Sequence, residues 1–233
     1  MARTFLQLVQ RLKQEAAIPG SRPTTLQGLT PEVEAQRIAD WVADAWIQIL
    51  ELHPDWRFRR RSVTFTTTNT QHTYTPVQCG LASGTLGRWV LPTFRAYLTS
   101  APASEWHLVP TSYDCWRDTY LIGANRTVYN QPRYIAEDPE STGLVLGPIP
   151  TGGYTITGTY YLAPNRMSAD ADTCGLPAQY DDLGIVWKAL IEYAGYEAES
   201  AAFQLANRNY SQWINHLERE QLPTPEICFS MGI

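Results

Sequence analysis

Arg57-Phe58-Arg59-Arg60-Arg61 is the sharpest concentration of one functional group, with four guanidinium groups in five residues. A guanidinium pairs in a fixed fork with carboxylates and phosphates. Arg57, Arg59, Arg60 and Arg61 therefore read as contacts to DNA phosphates, to Asp/Glu of a neighbouring subunit, or as a solvated charged face. Pairing or solvation is preferred over DNA. Carboxylates stand side by side at Glu137-Asp138 and Asp181-Asp182. Acid–base catalysis needs two carboxyl groups held in different environments. Adjacency in sequence fits a loop or a helix start instead, and Asp181-Asp182 suits the positive end of a helix dipole. His53, His72, His107 and His216 stand apart from one another and from Cys79, Cys115, Cys174 and Cys228, so no metal-ligand spacing exists. There is no H-E-x-x-H, no G-x-S-x-G and no P-loop. The glycines from Gly143 to Gly153 lie between strand-like runs, not in the strand–turn–helix setting that cradles phosphate. The expectation is a protein without catalytic residues, metal or cofactor, one that works by presenting surfaces.

Composition agrees with that expectation. The chain has 233 residues, 44% of them hydrophobic, enough for one large domain or two small ones with a real core. Aromatic residues make up 12%, including 8 Trp and 13 Tyr, which suits either interfaces or a packed interior. The net charge of −5 argues against a dedicated nucleic-acid binder. Residues 1–61 hold nine Lys/Arg and seven Asp/Glu, residues 62–177 six and eight, and residues 178–233 three and eight, so the last part is acidic. The scattered cysteines read as reduced, structural thiols. The N-terminus lacks the continuous apolar run of a signal peptide, and no window reads as a membrane span.

The elements that must position these residues follow from periodicity. Phe5, Leu8/Val9, Leu12 and Ala16 recur at helical spacing over 3–17, and Pro19-Gly20 ends that run. A second helix starts at Thr30-Pro31-Glu32 and carries Val33, Ile38, Trp41/Val42, Ala45/Trp46, Ile49 and Leu52 before His53-Pro54. Alternation predicts strands at 62–68, 72–75, 93–99, 106–109, 133–136, 143–147 and 154–162, with a short helical turn over 111–121. Helical periodicity returns over 178–222. Tyr180, Leu183, Trp187, Leu190 and Ala194 form one stripe, and Phe203, Ala206, Tyr210, Trp213 and Leu217 form another. A break near Glu199-Ser200 divides two helices, or the run is one long helix. The sequence thus predicts an α+β protein: an antiparallel four-helix bundle of residues 1–53 and 178–222, an inserted antiparallel β-domain of residues 54–177, and an extended tail of residues 223–233. In that tail Ile227, Phe229, Met231 and Ile233 alternate after Pro223 and Pro225, as a segment adding to a sheet or lying in a groove requires.

Order and spacing together carry a resemblance. Gln131-Pro132-Arg133-Tyr134 is followed by Leu144-Val145-Leu146-Gly147-Pro148-Ile149-Pro150, by Tyr154-Thr155-Ile156 and Tyr160-Tyr161, and by Leu176-Pro177-Ala178-Gln179-Tyr180 before a helix. Leu6 to Ala16, and Trp41 to Trp56 with its His-Pro-Asp-Trp exit, fit the same plan. The chain resembles the head-to-tail adaptor proteins of tailed bacteriophages, the tail tubular or gatekeeper-like adaptors, over nearly its whole length. The resemblance implies a structural virion protein in the neck between capsid and tail, assembled in the host cytoplasm. It implies a homo-oligomeric ring, typically of twelve subunits, beneath the portal protein. Such a ring extends the DNA channel, lets genomic DNA pass without sequence-specific binding, and offers a surface to the downstream tail or nozzle protein. By the same analogy Pro223, Pro225, Ile227, Phe229, Met231 and Ile233 bind the portal. Two other readings belong to different classes: a carbohydrate-binding or glycan-processing tail module that stacks sugars on exposed Trp and Tyr, and a cellular helical scaffold.

Overall fold

Helix α1 (Phe5–Glu15) starts where it does because Thr4 and Gln7 cap it reciprocally. The Gln7 amide donates to Thr4 Oγ1 and the Thr4 amide to Gln7 Oε1, satisfying two donors that the first turn leaves open. The computed structural model describes residues 2–27, 34–197 and 200–222. After α1 come α2 (Glu34–Leu52), β1 (Arg60–Thr66), β2 (Thr73–Tyr74), β3 (Leu86–Trp89), β4 (Arg95–Leu98), β5 (Ala101–His107) and β6 (Val109–Pro110). Then follow α3 (Tyr113–Tyr120), β7 (Tyr129–Asn130), β8 (Tyr134–Glu137), β9 (Leu144–Gly147), β10 (Ile149–Pro150), β11 (Tyr154–Leu162), α4 (Leu183–Tyr196) and α5 (Ser200–Gln221). The chain divides into two units, Met1–Phe58 with Pro164–Ile233 and Arg59–Ala163.

In the first unit α1, α2 and α4 pack pairwise on one another, and α5 packs along α4. Their shared core is built from Leu8, Val9 and Leu12 of α1, Ile38, Val42, Trp46 and Ile49 of α2, and Ile185, Val186 and Ala189 of α4. Trp56 is fully buried and donates its indole N–H to the carbonyl of Ile49 at 3.0 Å, which satisfies its one polar atom. Gly184 lets α5 approach α4: a methyl group there would overlap the indole of Trp213. Trp213 Nε1 then donates to the carbonyl of Asp181 at 2.7 Å.

The antiparallel four-helix bundle is not what forms. The chain has five described helices, and α5 joins the unit through α4 rather than closing a four-cornered core. The reason lies in burial along α5. Ala206, Trp213, Ile214 and Leu217 are buried, whereas Phe203, expected in the same stripe, is 40% exposed. The 11 residues of α1 also span only about half the rise of the 22 of α5. The expected helix start at Thr30, Pro31 and Glu32, the residue Val33 and the extended tail lie outside the described residues, as does Glu199 at the expected break.

The second unit has two main sheets. One runs β1-β11-β4-β5 with β3 also on β11, and the other runs β2-β9-β8-β6. Val63, Phe65, Ala96 and Ile156 of the first share a core with Tyr74, Ile135, Leu144 and Leu146 of the second. Alternate residues of β8 and β9 point the other way. There Ala136 and Val145 meet Trp116 of α3, which is why every residue of β9 is buried. Strand pairing in this unit is mostly antiparallel, as expected of the β-domain, with two short parallel exceptions. Strand β6 pairs parallel with β8 across α3 and the turn after it, and β7 pairs parallel with β10 across the β8–β9 hairpin.

Candidate interaction surfaces

The arginine cluster separates into different settings. Arg57 belongs to the helical unit and is exposed. Arg59 is buried, with Nη2 donating to the carbonyl of Leu162, and burial pushes its guanidinium below its ordinary value. Its place at the root of β1 and β11 is structural. Arg60 and Arg61 are exposed on β1. Arg60 reaches Thr159 Oγ1 from Nε at 3.3 Å and from Nη2 at 3.2 Å, and Arg61 Nη1 donates to the Arg60 carbonyl at 2.8 Å. Successive strand residues face opposite sides, so these two charges diverge.

The paired carboxylates hold structure together. The backbone amide of Arg3 donates to Asp182 Oδ2 at 2.5 Å, and its guanidinium pairs with both Asp182 and Asp181, the latter at 2.9 Å. Burial pushes the Asp181 carboxyl up, but the Arg3 hydrogen bond, the Leu183 amide and the Arg3 charge outweigh it and hold the group below its ordinary value. A cavity of about 290 Å³ adjoins this pair, lined also by Cys174 and Tyr180. Asp138 closes a turn, accepting from the Glu140 amide at 3.1 Å and the Ser141 hydroxyl at 2.7 Å, while Glu137 ends β8 with burial raising its carboxyl.

The histidines are dispersed. His53 Nε2 meets Glu218 Oε1 at 3.0 Å, which ties the end of α2 to α5. His72 Nδ1 lies 2.8 Å from Thr73 Oγ1 and its ring packs by Trp116, with burial lowering its pKa. His107 is exposed, and His216 lies beside Tyr180. Among the described residues no three His, Cys, Asp or Glu gather as metal ligands. Cys79, Cys115 and Cys174 are free thiols, the first pushed up to about 12 by burial. No described helix is long and apolar enough to cross a membrane.

Of the three tryptophans in the β unit, Trp89 and Trp116 are buried. Trp106 is half-buried, donates Nε1 to the Pro132 carbonyl at 2.9 Å, and has the Arg133 guanidinium over its ring. A sugar-stacking platform is therefore not built from Trp89 or Trp116.

Periodicity did not reveal where apolar side chains remain exposed. In the β unit Ile122, Val128 and Tyr129 line the turn after α3, while Val109 and Tyr134 occupy paired positions on β6 and β8. In the helical unit Tyr196 ends α4, and Phe203 and Leu205 open α5. The one available signal was apolar residues set among Gly and Asn in 121–130, with no period that would bury them. The tail residues Pro223, Pro225, Ile227, Phe229, Met231 and Ile233 lie outside the described residues.

The model of the SU10 adaptor protein family matches residues 3–225. The chain belongs to that family. SU10 adaptor family proteins are phage head–tail adaptors, so the chain has a structural adaptor role, is a virion component and interacts with other phage structural proteins. No curated protein matches the chain in sequence.

Proposed function

We propose that this SU10 adaptor family member is one subunit of a non-enzymatic ring that joins the portal to the tail in the neck of the virion and extends the DNA channel. The observation that carries the reading is the family match, which spans both units and runs from residue 3 to residue 225. The chemistry around Asp138, Asp182, His53 and the buried Arg59 supports it, because these groups are engaged in turns and inter-element ties. In this reading about twelve copies close the ring through heterologous contacts. Pro223, Pro225, Ile227, Phe229, Met231 and Ile233 dock on the portal as an extended segment, and the downstream tail or nozzle protein binds the opposite end. Arg57, Arg60 and Arg61 serve subunit contacts or face the channel, and assembly takes place in the host cytoplasm.

Electron microscopy of the purified protein mixed with its portal tests the reading. The expected result is a symmetric collar on the portal that is absent from portal alone. A mixture that leaves the portal bare at micromolar protein overturns it. Removing residues 223–233 is expected to abolish the collar.

A further inference from the structure

Among the described residues, strand β5 ends its sheet and pairs with β4 alone. Its residues are exposed except Trp106, which is half-buried. The Leu108 amide donates to the Phe94 carbonyl at 3.0 Å, so in this antiparallel register Trp106 turns its own amide and carbonyl toward Ala96. The backbone groups of Glu105 and His107 alternate with it and point away from β4. Among the described residues no other backbone group pairs with them. An edge of this kind is a template for one more strand. Pro102 has no amide to offer, which confines such pairing to the residues from Ala103 to His107.

Beside this edge lies an open pocket of about 240 Å³, lined by Leu98, Ser104, Trp106, Gln131 and Tyr154. Ser104 and Trp106 stand two apart on β5 and so share one face of the strand. Leu98 is 37% exposed there. A strand added to β5 sets its own alternate side chains on that face, opposite Ser104 and Trp106. The occupant therefore needs free backbone amides and an apolar residue at every second position.

The tail has that form. Ile227, Phe229, Met231 and Ile233 alternate with the small residues Cys228, Ser230 and Gly232, and the last proline is Pro225. Residues 226–233 reach about 27 Å when extended, against about 17 Å for residues 103–107. The tail is long enough to cover the open edge with both of its prolines left outside the pairing. We propose that, in the protein free of portal, the tail of one copy adds as a strand to β5 of another and seats an apolar side chain in the pocket beside Trp106. The contact is heterologous, tail to edge. Docking on the portal then exchanges one partner of the tail for another. This inference stands apart from the ring reading, since it concerns copies that have not met a portal.

Amide hydrogen exchange of the full chain without portal tests it at Glu105 and His107. In wild type these two amides are expected to exchange on the order of tenfold more slowly at high than at low protein concentration, because pairing between copies follows mass action. The triple variant I227S with F229S and M231S is expected to exchange fast at both concentrations and to keep a wild-type thermal melt. A synthetic peptide of residues 223–233 added to that variant is expected to restore slow exchange. Wild-type exchange that is fast at both concentrations leaves the edge unpaired and overturns the inference. Exchange that is slow at both concentrations, or slow in the triple variant, shows that a second copy's tail is not what covers β5, and overturns it as well. None of these results touches the ring reading, and a missing collar on the portal sinks that reading without touching these amides.

Discussion

Single residues decide the close approaches in this protein, and Gly184 shows how. Helix propensity alone predicts that alanine at Gly184 stabilises α4 by about 1 kcal/mol. The indole of Trp213 occupies the space a methyl group needs, and overpacking costs about 1–3 kcal/mol. The second effect is expected to win, so Gly184→Ala lowers the urea midpoint, and Gly184→Ala with Trp213→Phe recovers part of the loss. A raised midpoint for the single variant places the indole elsewhere. Tyr74 sets a pH dependence. Burial is the main cause pushing its hydroxyl up to about 12, although the Thr68 backbone hydrogen bond acts the other way. The unfolded chain loses this proton near its ordinary value of 10, before the folded one does. Stability is therefore whole below pH 10 and falls as pH rises toward 12. Tyr74→Phe removes its share of that alkaline loss, and costs about 1 kcal/mol near neutrality because the hydroxyl no longer donates to the Gln71 carbonyl. Denaturant titrations at pH 8 and pH 11 compare the two slopes.

At the scale of elements, α3 is the piece whose role depends most on its support. Eight residues do not hold a helix in water by themselves. Ser112 caps it by accepting from the Cys115 amide at 3.3 Å, and Trp116 seats it on Ala136 and Val145. Trp116→Ala is expected to cost about 3–5 kcal/mol and to release α3. Hydrogen exchange over residues 113–120 measures this, and protection unchanged from wild type refutes it. The sequence showed α3 only as a departure from strand pattern, yet showed β11 at its full extent, Tyr154–Leu162. The difference is physical. Strand β11 alternates because one face meets the core, whereas α3 buries one large side chain and has no stripe. Strands β3, β7 and β10, with the sequences LGRW, YN and IP, carry no apolar–polar alternation that would mark them. The stripes of α1 and α2 were legible, since Leu8, Val9, Leu12, Ile38, Val42 and Trp46 are buried as spaced. The bundle was not, because periodicity shows that a face is apolar and not how much of it is covered, and the start of α5 is left open. The same gap hid the interaction surfaces: exposed Ile122, Tyr196 and Leu205 look in sequence like any core residues.

For the whole molecule the governing quantity is charge. The chain carries −5, and the deficit lies in residues 178–233, which hold three Lys/Arg against eight Asp/Glu. A surface retains duplex DNA by neutralising phosphates and releasing their counterions, an effect that grows with the number of Lys/Arg engaged and weakens with salt. A channel wall has the opposite task, since DNA that is to pass must not be held. A ring whose wall is drawn from the acidic helices repels phosphates and keeps them centred. The exposed Arg57, Arg60 and Arg61 are the natural test of this, being the densest positive charge available. The assembled collar is expected to leave a labelled duplex unretained at about 50 mM salt, where phosphate contacts are strong. Replacing all three arginines with alanine is expected to change nothing in that measurement. Tight binding by the wild-type collar that falls steeply with salt, and disappears in the triple variant, places the arginines on the channel wall and removes the repulsive lining.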